Sequence, residues 1–151
     1  LKYPVIVEPG HVFGLDWNGR VIEWQLGVGG AVRCNTPICA SNAMNAVGGR
    51  WPDAMVAVGA QGRIVMRDPA TGAWSVAAHD LTDAALHGVT TAGDRILVRG
   101  ANDTVLQYDD AGWMRADLSQ VDALITSISG HADGSIWVRG QTGLYELLPS
   151  P

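Results

Sequence analysis

The chain predicts an all-β fold: a small β-propeller of about four blades, each of four antiparallel strands. The first observation behind this is a repeat. Met55-Val56-Ala57-Val58-Gly59, Ile96-Leu97-Val98-Arg99-Gly100 and Ile136-Trp137-Val138-Arg139-Gly140 nearly superimpose, with their glycines 41 and 40 residues apart. Val12-Phe13-Gly14-Leu15-Asp16 is a fourth copy, and Asp16 stands in the glycine position 43 residues before Gly59. The second observation is that other landmarks keep the same period. Trp74 and Trp113 are 39 residues apart, and the pairs Met44/Val47, Leu86/Val89 and Ile125/Ile128 follow one another at 42 and 39. The third is local chemistry. Each unit holds short apolar runs rich in Val, Ile and Trp, cut by Gly, Asn and Asp, which is the composition of strands and tight turns.

The unit from Ala54 to Asp94 shows how the elements are read. Strands are expected at 55–58, 63–67, 73–78 and about 85–90, with Asp68-Pro69-Ala70-Thr71-Gly72 as the loop before the third. Thr91-Ala92-Gly93-Asp94 is then the link to the next blade. On this reading a single domain spans 1–151, with blades at 12–51, 54–94, 95–134, and 135–151 plus 1–10. Tyr3-Pro4-Val5-Ile6-Val7 is expected as a strand that closes the last blade, a closure that hides sheet edges.

Composition bounds the function. With 151 residues the chain is long enough for a core without staples. The 19 Gly and 7 Pro favour many short elements. Net charge −5, with only 10 Lys and Arg, argues against nucleic acid, because phosphate binding needs clustered cations. No apolar run approaches the roughly 18 residues of a membrane-spanning helix, so no membrane insertion is expected. The first ten residues are too short and too interrupted for a signal peptide. His11, His79, His87 and His131 are isolated from one another, on predicted turns or outer strands, so no metal site is expected. No catalytic motif appears, and neither an enzyme nor a cofactor is predicted.

Asp68-x3-Gly72-x-Trp74 and Asp110-x-Gly112-Trp113 resemble the Asp-box turns of sialidase-like repeats. The run Ile125-Thr126-Ser127-Ile128-Ser129-Gly130-His131-Ala132-Asp133-Gly134-Ser135-Ile136-Trp137-Val138 is similar to tectonin-type repeats, which occur in glycan-binding propeller lectins. Together these resemblances cover most of 54–148; they imply a propeller and permit glycan binding.

The candidate binding residues are Trp17, Asn18, Trp51, Arg99 and Arg139. Trp74, Trp113 and Trp137 are in repeat register and are expected as packing between blades. Trp17 and Trp51 are out of register on turns, either as platforms for a sugar or partner or folded back over a blade edge. Arg99 and Arg139 share one repeat position and are expected on innermost strands near a channel mouth, holding an anion or a partner carboxylate. The alternative is local pairing with Asp103, Asp133 or a chain terminus. Cys34 and Cys39 close a short loop, as a disulfide or as two free thiols according to the redox compartment.

The functional expectation is a non-catalytic module docking into a larger assembly, with protein partners that include copies of itself. A carbohydrate-binding propeller with a surface glycan as ligand is the alternative. Turn residues that change from blade to blade favour assembly over repeated sugar sites. An extracellular or virion setting is favoured over the cytoplasm. Leu1 in a Met position fits a non-AUG start in a GC-rich microbial or phage genome.

Overall fold

The computed structural model describes residues 2–28, 32–33, 44–78, 80–119, 121 and 124–147, and every regular element among them is a strand. Four antiparallel sheets follow one another along the chain. The first holds β1 (Lys2–Glu8), β2 (His11–Leu15), β3 (Val21–Gln25) and β4 (Val32–Arg33). The second holds β5 (Met44–Arg50), β6 (Ala54–Gly59), β7 (Ile64–Arg67) and β8 (Trp74–Ala78). The third holds β9 (Leu86–Ala92), β10 (Arg95–Gly100), β11 (Val105–Asp109) and β12 (Gly112–Arg115). The fourth holds β13 (Ile125–Gly130), β14 (Ile136–Gly140) and β15 (Leu144–Leu147).

The repeat is therefore real, but its boundaries shift by one strand. The segment near 85–90 does not finish the unit before it. It pairs with β10, Val89 opposite Val98 and Thr91 opposite Ile96, so it opens the next sheet. The physical reason is the Gly93-Asp94 turn, which is a tight hairpin rather than a link between sheets. The crossing to the next sheet comes earlier, before Leu86. The same correction applies at the N-terminus. β1 pairs with β2, Val5 opposite Phe13 and Ile6 opposite Val12, so it completes the first sheet and does not close the last. Pro9-Gly10 makes that hairpin; Gly10 sits at φ +80, a conformation that residues with a Cβ rarely adopt. Arg99 and Arg139 accordingly lie on second strands, β10 and β14, and not on the first strand of their sheets.

Packing follows the two-residue alternation of strands. Phe13, Leu15 and Val21 of the first sheet meet Met55, Ala57, Val65 and Trp74 of the second. The other face of the second sheet, Val56, Val58 and Ile64, meets Ile96, Val98 and Leu106 of the third. Leu97 and Ala92 on the far face of the third meet Ile136 and Val138 of the fourth. The second and third sheets thus offer one face to the sheet before them and the other to the sheet after them. The opening strands share an edge: β1 lies against β5, β5 against β9, and β9 against β13.

Trp74 and Trp113 occupy the expected packing positions. Trp74 is 6% exposed and meets the Phe13 ring edge-on at 6.3 Å. Trp113 lies 5.2 Å from the Tyr108 ring and donates its indole N–H to Met66 Sδ at 3.4 Å. Trp137 does not follow them. Ile136 and Val138 take the face toward the third sheet, so alternation puts Trp137 on the opposite, outer face.

The turns are held by carboxylates. Asp68 accepts the backbone N–H groups of Ala70 and Thr71 at 2.8 and 3.1 Å, and Asp133 accepts the backbone N–H and the side-chain O–H of Ser135 at 2.9 and 2.7 Å. In the second of the Asp-box-like segments, the capping residue is Asp109, which accepts Ala111 N at 2.9 Å. The hydrogen bonds from Thr71 and Ala70 hold the Asp68 carboxyl below its ordinary value, and those from Ser135 do the same for Asp133. A carboxyl whose folded value is depressed stabilises the fold above the unfolded value and loses that contribution as pH falls through the folded one. The melting temperature is therefore expected to hold between pH 7 and 5 and to fall below about pH 4, the ordinary carboxyl range. Thermal scans across that range check it: a shallower acid slope is expected for Asp68→Asn, and an unchanged slope would show that the turn carboxylates are not responsible.

Candidate interaction sites

Two surfaces combine exposed aromatic side chains with defined geometry. The first is a pocket of about 280 Å³ lined by residues that include Lys2, Tyr3, Asp16, Trp17, Asn45 and His87. Its parts come from three sheets. The β2–β3 turn supplies Asp16 and Trp17, and Asp16 is fixed there because its carboxylate accepts Asn18 N, Arg20 N and Arg20 Nε at 2.9, 2.8 and 2.6 Å. Burial alone raises the Asp16 carboxyl, but hydrogen bonds from the Arg20 backbone and side chain outweigh it and leave the value lowered. Asn45 and His87 arrive by a shared irregularity. Met44 pairs with Gly59 and Ala46 with Val58, so Asn45 bulges out of the ladder; Leu86 pairs with Gly100 and Gly88 with Arg99, so His87 does the same. Asn45 Nδ2 donates to the Leu86 carbonyl at 2.9 Å, tying the second sheet to the third beneath the pocket. Trp17 is 80% exposed, and the Lys2 ammonium stands 4.7 Å from its ring centroid.

The second surface is the outer face of the first sheet. Directly paired residues point to the same face. Ile6, Val12 and Trp24 form one cross-strand row, and Gly14 with Ile22 forms the next. Ile6 is 75% exposed and Trp24 38%. The outer face of the fourth sheet is its counterpart at the far end. There Trp137 pairs with Ser129 and Glu146, and Arg139 with Ser127 and Leu144.

The five residues expected to bind are therefore not one site. Trp17 lines the pocket; Asn18 is exposed on the same turn, and its backbone N–H caps Asp16. Trp51 is folded back on the sheet. Its ring lies 4.4 Å from His11 and 5.5 Å from Phe13, with the Arg67 guanidinium 4.9 Å above it. Arg99 borders a small recess of about 70 Å³ between the third and fourth sheets, and Arg139 stands on the outer face. Neither guanidinium takes part in an ion pair among the described residues. Asp103 instead accepts Ile125 N at 2.7 Å, and Asp133 is committed to Ser135. Cys34, Cys39 and His79 lie outside the described residues.

Sequence reasoning missed Asn45, His87, Ile6 and Trp24. The bulges leave no composition signal, but the alternation Val5, Ile6, Val7 did hold an apolar residue on each face. It also misplaced His11, expected on a turn or outer strand. His11 is 2% exposed on β2, with Nδ1 3.1 Å from Glu8 Oε1 and Nε2 2.8 Å from Glu23 Oε1. Comparison with known proteins brings no assignment: no protein-family model and no curated protein matches the chain.

Proposed function

We propose that the chain is a non-catalytic recognition and assembly module, built as an arc of four propeller blades. Four consecutive antiparallel sheets packed face to face, with their opening strands along one shared edge, support the propeller reading. The observation that carries the assembly reading is the row Ile6, Val12 and Trp24, an apolar sheet face that no other sheet covers among the described residues, at one end of the arc. Exposed apolar patches of this kind mark surfaces that a partner covers. A net charge of −5 keeps nucleic acid off the list of partners.

Carbohydrate recognition is the second reading, and the Trp17 pocket favours it. An open indole beside Asn45, His87 and Tyr3 offers a stacking surface and hydrogen-bonding groups to a polyhydroxylated ligand. A glycan panel titrated into the isolated protein and followed by Trp fluorescence separates the two. Under the assembly reading the panel is silent. Saturable binding to one glycan class, lost in Trp17→Ala, would move the function to carbohydrate recognition.

A further inference from the structure

The two ends of the arc are the two halves of an interface that the chain already makes three times. Four positions before the turn residue at each repeat stand Val12, Met55, Ile96 and Ile136. The last three are buried against the preceding sheet, whereas Val12 lies in the uncovered row of the first. Three positions before it stand Phe13, Val56, Leu97 and Trp137. The first three are buried against the following sheet, whereas Trp137 lies on the outer face of the fourth.

From this we infer that the first sheet's outer face is covered by the fourth sheet of a second copy of this chain, continuing the sheet-on-sheet packing from one copy to the next. The inference rests on the propeller reading above. A second copy is the occupant because the complement required is a face of the same repeat, and the chain carries one. Charge permits it. The first face presents Ile6, Val12, Ile22 and Trp24, with Arg33 opposite Ile22 in the ladder, and the fourth carries one cation, Arg139, and one anion, Glu146. Neither face therefore gathers negative charge in spite of the overall −5, and Glu146 supplies an anion for the cation of the first face. Leu144, 63% exposed beside Arg139, adds apolar area to that face. Head-to-tail contacts either close or propagate; two copies closing on each other consume all four faces.

Sedimentation of the full chain over a concentration series tests it. Association beyond the 15.9 kDa monomer is expected, as a dimer or a head-to-tail series. Ile6→Glu on the first face and Leu144→Glu on the fourth should each abolish it, with far-UV circular dichroism showing that both variants fold. Mixing the two should restore a one-to-one pair, because each variant keeps the face the other has lost. A chain monomeric into the hundreds of micromolar overturns the inference, as does association that survives both substitutions or a mixture that stays monomeric. If either variant misfolds, concentration-dependent protection from hydrogen exchange at β1–β3 and β14–β15 in the unmodified chain decides, and its absence overturns the inference. Trp17→Ala should leave association unchanged, so a failure here is distinguishable from a failure of the binding reading.

Discussion

Trp74→Ala is expected to destabilise the fold by about 3–5 kcal/mol, the usual cost of emptying a large buried aromatic site. Trp74 is nearly enclosed between the first two sheets, against Phe13, with Met55, Ala57 and Val65 in the same cluster. Those neighbours sit on strands whose backbones are locked into ladders, so the space left by the indole cannot readily collapse. Domains of this size are stable by about 5–15 kcal/mol, so the loss is a large share of the whole. Trp17→Ala is the matched control. Its ring stands in solvent, and the expected change is under about 1 kcal/mol. Chemical denaturation of the three proteins measures both effects. Equal costs for the two substitutions would mean that Trp17 is packed and that the pocket around it is not open.

The contrast between these two tryptophans was legible in the sequence, because register separates them. Trp74 and Trp113 repeat at 39 residues, as packing positions must when each unit meets its neighbour in the same way. The all-β class was legible too, from runs of Val and Ile broken by Gly, Asn and Asp. What was not legible was which strand begins a sheet. A tight turn such as Gly93-Asp94 and a crossing between sheets both use Gly and Asp, and only backbone pairing tells them apart. The error moved each boundary by one strand and placed Arg99 and Arg139 on the opening strand of a sheet, where β10 and β14 are second strands.

Site residues were less legible than the fold, for a related reason. Asn45 and His87 are brought beside Trp17 by bulges in β5 and β9, and a bulge is a feature of pairing, not of composition. For Trp51 the sequence left two readings open, an exposed platform or a ring folded back, and the structure shows the second. It sits beside Pro52 on a turn, as an exposed platform does, yet it lies against His11, Phe13 and Arg67. A turn places a side chain near the surface, but a neighbouring sheet decides whether it is covered.

Gly130→Val should detach the fourth sheet from the third. Gly130 ends β13 at the point where that strand crosses the end of β9. A Cβ there would fall 2.1 Å from the Thr91 carbonyl oxygen and 2.8 Å from Ala92 Cβ, so backbone must move for any larger residue to fit. The same crossing carries three tethers: Gly130 N donates to Thr90 Oγ1 at 3.3 Å, Gly93 N donates to the His131 carbonyl at 2.9 Å, and the Arg95 guanidinium donates to the Gly134 carbonyl at 2.6 Å. Forcing the backbones apart therefore weakens these bonds along with the packing of Ile136 and Val138 on Leu97. Overpacking a close contact costs about 1–3 kcal/mol, and the loss of adjoining hydrogen bonds adds roughly 0.5–1.5 kcal/mol each. Stacked repeats touch only their neighbours, so the damage should stay local. Hydrogen exchange is expected to accelerate across β13–β15 while β1–β8 keep their protection. Uniform acceleration through all four sheets would show instead that they unfold as one cooperative unit, and unchanged exchange would show that β9 and β13 do not meet at Gly130.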